Sequence, residues 1–261
     1  MLAVVVSFAA LFVLLATGAP IFIAVGVAAV GGLLAAGVPF DAAAQVFVSS
    51  LSANALLAIP LFILMAEIMT TGGMIKRLVD MLNALIGHWR GGLAYVAVFA
   101  SAIFAAFSGS SPANAAALGI ALIPQMLASG YSPRLTAGVI TAGGTLGILI
   151  PPSINMILYS AVTDLPVLDL FRAGVKPGLM LATAFLIVVA CWDRVAPLPI
   201  AERQPRAERL AQLRAGGPVL LLPLIVLGAI YSAVLTVTES AIAGIAYALF
   251  LQCGWYREFK W

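Results

Sequence analysis

Gly143-Gly144-Thr145-Leu146-Gly147-Ile148-Leu149-Ile150-Pro151-Pro152-Ser153 interrupts a charge-free run that extends from Leu135 to Thr163. Such a run is long enough to cross a bilayer as a helix, for which roughly 20 apolar residues suffice. Three glycines in five positions let the backbone leave helical geometry, and two adjacent prolines lack the N–H groups a helix would bond. The stretch therefore predicts a discontinuous helix with halves near 135–142 and 153–163, where a plain kink would need only one proline. Irregular backbone at membrane depth survives only where protein covers it or where it lines a wet cavity. Unwound carbonyls in such a place suit Na⁺, and a half-helix N-terminus suits an anionic group.

The sequence before this break is also free of charge, from Gly91 to Pro133, and is punctuated in a way that predicts a helical hairpin. One arm covers 92–107, the tip is Ser108-Gly109-Ser110-Ser111-Pro112, and a second arm runs to about 128. A polar turn, Ser129 to Arg134, then leads into the broken helix. Hydroxyls and freed carbonyls at the tip are hard ligands for a small cation, while the helix starting near Pro112 turns its amides toward the same place. A plain turn with Ser at a helix N-cap is the competing explanation. Asn114 and Asn155 can reach into such a cavity or serve as helix-to-helix hydrogen bonds.

With 63% hydrophobic and 9% charged residues, the 261-residue chain carries more apolar surface than one water-soluble core could bury, so lipid must be its solvent. Further spans are expected near 2–19, 21–38, 55–72, 170–192, 216–235 and 239–256, with Pro20 closing the first two into a tight pair. Between 74 and 90, Ile75, Leu78, Leu82 and Leu85 share one helical face and Lys76, Arg77, Asp80 and Asn83 lie largely off it, which predicts an interfacial amphipathic helix. Continuous helical runs exclude an outer-membrane barrel. If the hairpin returns to its own side, eleven of the thirteen Lys and Arg residues face one compartment, against Arg172 and Lys176 on the other. The positive-inside rule makes that side cytoplasmic, with the first residue periplasmic and residue 261 cytoplasmic. No basic cluster opens the chain, so a cleaved leader is not expected.

Nothing in the sequence has the spacing of a catalytic constellation or a metal cluster: His88 is the single histidine, and Cys191 and Cys253 sit in apolar segments without a CxxC neighbour. The chain is not expected to be an enzyme or to bind a cofactor or nucleic acid. Glu67 and Glu239 are the ionisable groups nearest span interiors. The structural explanation is favoured for both: proximity to interfacial water for Glu67, and a first-turn carboxylate beside an N-cap for Glu239.

Taken together, Gly18-Ala19-Pro20, Ile59 to Phe62, Arg90 to Ala94, Phe107 to Ser111, Gly130-Tyr131, Ala142 to Ile154, Ala173-Gly174, Pro177 to Leu179, Ile230 to Ser232 and Thr238-Glu239 resemble the large membrane subunit (DctM-like) of tripartite ATP-independent periplasmic, or TRAP, transporters. The resemblance runs along essentially the whole chain, and the Gly-Gly-Thr-Leu-Gly-Ile-Leu-Ile-Pro-Pro run is its specific part. It implies an all-α integral membrane protein of the inner membrane, a polytopic helical bundle with one re-entrant hairpin and one broken helix, the first half of an inverted-repeat elevator transporter. The implied organisation is scaffold helices at 1–73, the interfacial helix at 74–90, half of a transport domain at 91–192, a cytoplasmic linker at 193–215, and the start of a second scaffold half at 216–261.

The implied activity is Na⁺-coupled import of carboxylate-bearing solutes delivered by a periplasmic binding protein, in partnership with a small four-helix membrane subunit. By similarity, ion and substrate would be met by Ser108, Gly109, Ser110, Ser111, Asn114, Gly143, Gly144, Thr145, Gly147, Pro151, Pro152 and Asn155. Na⁺ itself would fall to Ser108, Gly109, Ser110, Gly144 and Thr145. Two departures qualify this: family members are longer, with a second hairpin and break, and Val237 stands where the family commonly has Pro. The expectation is either a truncated or split gene product or a permease whose remainder is supplied by another chain. The alternative is a non-transporting structural or assembly subunit.

Overall fold

The computed structural model describes residues 2–51 and 54–257, and all regular structure among them is helical. The chain divides after Ala53 into two units. The first holds α1 (Leu2–Ala16), α2 (Ile21–Ala35) and α3 (Phe40–Leu51). Gly18, at φ +80°, ends α1: its N–H bonds Leu15 O and that of Ala19 bonds Leu14 O, satisfying carbonyls the helix end leaves free. Pro20 then opens α2. Ala24 and Ala28 are buried and Gly32 continues their row, where a Cβ would lie 1.9 Å from Ser7 Oγ; this stripe of small residues lets α1 and α2 pack closely. Each helix is 15 residues, about 22 Å. The 2–19 and 21–38 spans are thus shorter than expected, because each ends in a glycine turn. Helix α3 has no counterpart in the sequence reading: Asp41, Gln45 and Ser49 dilute its hydropathy, although Ala42 to Ala44 favour a helix.

The second unit begins with a short 3₁₀ turn at Asn54–Leu57 and continues through α4 (Ala58–Thr71) and α5 (Met74–Ile86), which is bent 65° away from α4. Gly73, at φ +65°, makes the bend. The amphipathic pattern of α5 is real, but its apolar face, Met74, Ile75, Leu78, Val79, Met81 and Leu82, is buried. It packs mainly on α11 (Arg206–Tyr231) and α6 (Gly92–Ser108), so other helices cover the stripe expected to lie on lipid. A Cβ at Gly216 would lie 2.6 Å from Met81 Cβ, and Arg209 Nε donates to Ala84 O at 3.2 Å. Helix α12 (Val237–Leu249) opens with the Thr236–Glu239 capping box, as expected for Glu239, and packs on α4. A π-helical turn at Phe250–Tyr256 follows, where buried Gln252 donates to Ile68 O and Tyr256 lies 4.0 Å from the Arg77 guanidinium.

The remaining helices are α7 (Ser111–Ala128), α8 (Pro133–Gly144), α9 (Ile154–Thr163) and α10 (Val167–Val195). Among the described residues, α7, α10, α11 and the α12–π segment are long and apolar enough to cross a membrane, and the bent α4–α5 pair makes a fifth when counted as one broken span. Helix α10 is the ruler of this region. Its Gly174 and Gly178 meet Leu149 and Ile150, its Phe185 and Val189 line a groove with Val98 and Val139, and Asp193 at its end pairs with Arg90 at 3.0 Å. The base of the hairpin α6–α7 is thus tied to the C-terminal end of α10, while Gly174 and Gly178 of α10 pack on the broken helix that meets the hairpin tip. The stretch expected as a linker at 193–215 is helical at both ends; only 196–205 is extended between helices. That strap lies on the hairpin base, with Gly91 N–H donating to Pro199 O at 3.0 Å and Leu198 buried.

Candidate functional site

The hairpin tip and the broken helix meet through backbone. Gly109, at φ +58°, accepts a hydrogen bond from Ile154 N–H at 3.2 Å. No side chain fits between them, since a Cβ at Gly109 would lie 2.8 Å from Pro152 O. A Cβ at Gly147 would lie 2.7 Å from Ser110 O, and one at Gly144 would lie 2.8 Å from Ala115 Cβ. One step deeper, a Cβ at Gly143 would lie 2.3 Å from Ser101 Oγ, beside Asn114, whose Nδ2 donates to Ser101 O at 3.1 Å.

The glycines of the break therefore do a different job from the one expected of them. Gly143 and Gly144 complete α8, a 3₁₀ turn follows at Thr145–Ile148, and none of the three has positive φ. They are there for close approach to the hairpin. The prolines, joined by a cis peptide, make the interruption: positions 151 and 152 offer no N–H to Gly147 O and Ile148 O.

Two helix N-termini converge here. Helix α7 starts after Ser110 and α9 after Ser153, and neither serine side chain caps its own helix. Their first-turn amides carry partial positive charge that favours an anion. Around them, Ser108, Asn114 and Ser153 are almost fully buried, and Ser108 Oγ, Asn114 Oδ1 and Ser153 Oγ have no hydrogen-bond partner. Pro151 and Pro152 are buried, whereas Ser110 and Ser111 are half-buried. Thr145 and Asn155 are exposed, and the Thr145 hydroxyl donates to Ala142 O at 2.6 Å, so neither joins the buried cluster. Ser101 and Ser153 belong to the cluster, although neither was among the expected site residues, Ser153 entering the sequence reading only as the end of the break. For Ser153 the signal was available, as a serine at the N-cap position directly after the prolines.

The start of α8 closes the base of the hairpin. Tyr131 is buried in the α7–α8 turn, and its hydroxyl accepts from Leu93 N–H at 3.2 Å. Burial pushes the phenol above its ordinary value, while the Leu93 and Ala94 amides pull it down. Hairpin base and hairpin tip are thus both tied to the same broken helix.

Residues 8–261 match the family described as the tripartite ATP-independent periplasmic transporter, DctM component. The chain belongs to this family. It is 48% identical over 205 residues to the C4-dicarboxylate TRAP transporter large permease protein DctM of Pseudomonas aeruginosa, an alignment covering 78% of this chain and 48% of that protein. The protein of the same name from Rhodobacter capsulatus is 37% identical over 270 residues, covering 97% and 61%. The ectoine TRAP transporter large permease protein TeaC of Halomonas elongata is 36% identical over 216 residues, covering 83% and 51%. The chain spans about half to three fifths of the length of these relatives. These relatives are named transporter permeases, a non-enzymatic class. In this TRAP large permease chain, the tip-to-break junction brings two helix N-termini together with the unpartnered oxygens of Ser108, Asn114 and Ser153.

Proposed function

We propose that this chain is part of an inner-membrane permease that imports carboxylate-bearing solutes on a Na⁺ gradient, receiving them from a periplasmic binding protein and working with a small four-helix membrane subunit. The observation that carries this reading is the junction itself, where α7 and α9 present uncapped N-termini to each other beside buried oxygens without partners. The donor set fits Na⁺: hydroxyl, amide and carbonyl oxygens are hard ligands, and Gly147 O and Ile148 O are denied helix donors by the prolines. Ser108, Gly109, Ser110, Gly144 and Thr145 remain the proposed holders of the ion, Thr145 through its carbonyl because its side chain is exposed, outside the buried cluster. When bound, Na⁺ would supply positive charge beside the helix ends and so favour a carboxylate there. The exposed amide of Asn155 and the half-buried Ser111 would meet the solute, with the basic 76–90 and 194–214 segments on the cytoplasmic side.

The names of the relatives point to different solutes, a C4-dicarboxylate in one case and ectoine in another, both of which carry a carboxylate. The test is uptake of labelled dicarboxylates into proteoliposomes holding the permease that carries this chain, its small subunit and the cognate binding protein. Uptake that requires both an inward Na⁺ gradient and the binding protein is the expected result. Uptake indifferent to Na⁺ would overturn the coupling, and uptake without the binding protein would overturn the delivery step.

A further inference from the structure

We infer a second cation site, formed between Glu67 of α4 and the hairpin tip, on the α4 side of the tip and away from Gly144 and Thr145 of the break. It extends the reading above, with which it shares the ion and the tip serines Ser108 and Ser110. A cavity of about 250 Å³ lies between α4 and the hairpin, with Ile63, Glu67 and Thr70 on one wall and Phe104, Ser108 and Ser110 on the other. Glu67 is the charged group among its lining residues. Its Oε1 accepts one long hydrogen bond from Thr71 at 3.4 Å, and no ion pair engages it among the described residues. Thr70 has its hydroxyl proton committed to Ala66 O at 2.6 Å, so its oxygen is left as an acceptor.

The opposite wall supplies the other oxygen, from the tip serine that also borders the junction. Ser108 is 1% exposed and its Oγ has no partner, a buried oxygen in search of one. Beyond the long bond from Thr71, the apolar side chains lining the cavity beside the Glu67 carboxylate are Ile63 and Phe104. A small monovalent cation satisfies both sides at once, since carboxylate and hydroxyl oxygens are its preferred ligands. Na⁺ held in this cavity would bridge α4 and the tip. It would stabilise the arrangement in which the tip rests near α4 and would have to leave before the two could part.

The experiment is equilibrium binding of ²²Na⁺ to the purified permease that carries this chain, comparing wild type with Glu67→Gln, Glu67→Asp and Gly147→Ala. Glu67 is exposed and Gln has its size, so the fold should be retained, which thermal unfolding checks. Glu67→Gln is expected to lose one component of Na⁺ binding, and Glu67→Asp, whose carboxylate is withdrawn by a methylene, to weaken it about 10-fold. Gly147→Ala should keep that component while losing the one at the tip and break. Wild-type binding in both Glu67 variants would overturn the inference; if Gly147→Ala alone then lost Na⁺, the junction reading would stand. Absence of Na⁺ binding by the wild type would overturn both.

Discussion

Single residues in this protein matter mostly through what they leave out. Gly109 is held at positive φ with a carbonyl 2.8 Å from where a Cβ would sit, so Gly109→Ala meets two penalties at once. The left-handed conformation alone costs an alanine about 1–2 kcal/mol. The clash adds to it, and thermal unfolding in detergent should show a clear drop in Tm relative to a substitution at Gly138, where nothing lies within 4 Å. Tyr131 works by presence instead. Tyr131→Phe leaves the buried Leu93 N–H without its acceptor and should cost about 1–3 kcal/mol. Because burial makes the folded protein hold the phenolic proton more tightly than the unfolded chain does, the Tyr131 contribution to stability is complete below the ordinary tyrosine value of 10.0 and declines as pH rises past it. The alkaline limb of a Tm-against-pH curve should therefore be less steep in Tyr131→Phe.

At the scale of elements, what could be read in the sequence depended on whether the signal was local. The hairpin, its tip and the interruption before Ser153 were legible because proline and the Ser-Gly-Ser-Ser cluster punctuate a run with no charge. The role of Gly143 and Gly144 was not, because a missing Cβ serves conformational freedom and close packing equally well, and only Ser101 and Ala115 across the gap decide between them. Thr145 and Asn155 carry the right chemistry, yet the helical turn each occupies faces them outward. Helix α5 shows the same limit: its 3.6-residue pattern fixes which face is apolar but not whether lipid or α11 covers it. The 206–214 stretch looked like a linker because it is charged, although Arg206, Glu208 and Arg209 simply decorate the first turns of α11. The capping box of α12 was legible, since Thr236 and Glu239 have the required spacing. Thr236→Ala should cost about 0.5–2 kcal/mol of stability, read as a lower Tm, while leaving Na⁺ binding intact.

At the scale of the whole second unit, α10 and the strap at 196–205 connect the site to the remaining helices. The strap is fixed to the hairpin base by Gly91–Pro199 and by Leu198, and the end of α10 is held to the same base by the Arg90–Asp193 pair, in which Arg90 is 58% and Asp193 20% exposed. So exposed a pair contributes at most about 1 kcal/mol, and Arg90→Ala should barely change Tm. The proposed orientation puts the strap in the cytoplasm. A cysteine at Arg203 should be modified by an impermeant thiol reagent in inverted vesicles and protected in intact cells; the reverse pattern would invert the topology.

The account rests on the hairpin tip and the broken helix acting as one Na⁺-dependent site, and the most direct measurement of that is Na⁺-driven solute uptake by proteoliposomes carrying Gly147→Ala permease beside wild type. The alanine places a methyl 2.7 Å from Ser110 O, at the junction and nowhere else. With insertion and subunit assembly unchanged, uptake should fall at least about 10-fold and its half-saturating Na⁺ concentration should rise. Uptake with wild-type rate and wild-type Na⁺ dependence would contradict the account.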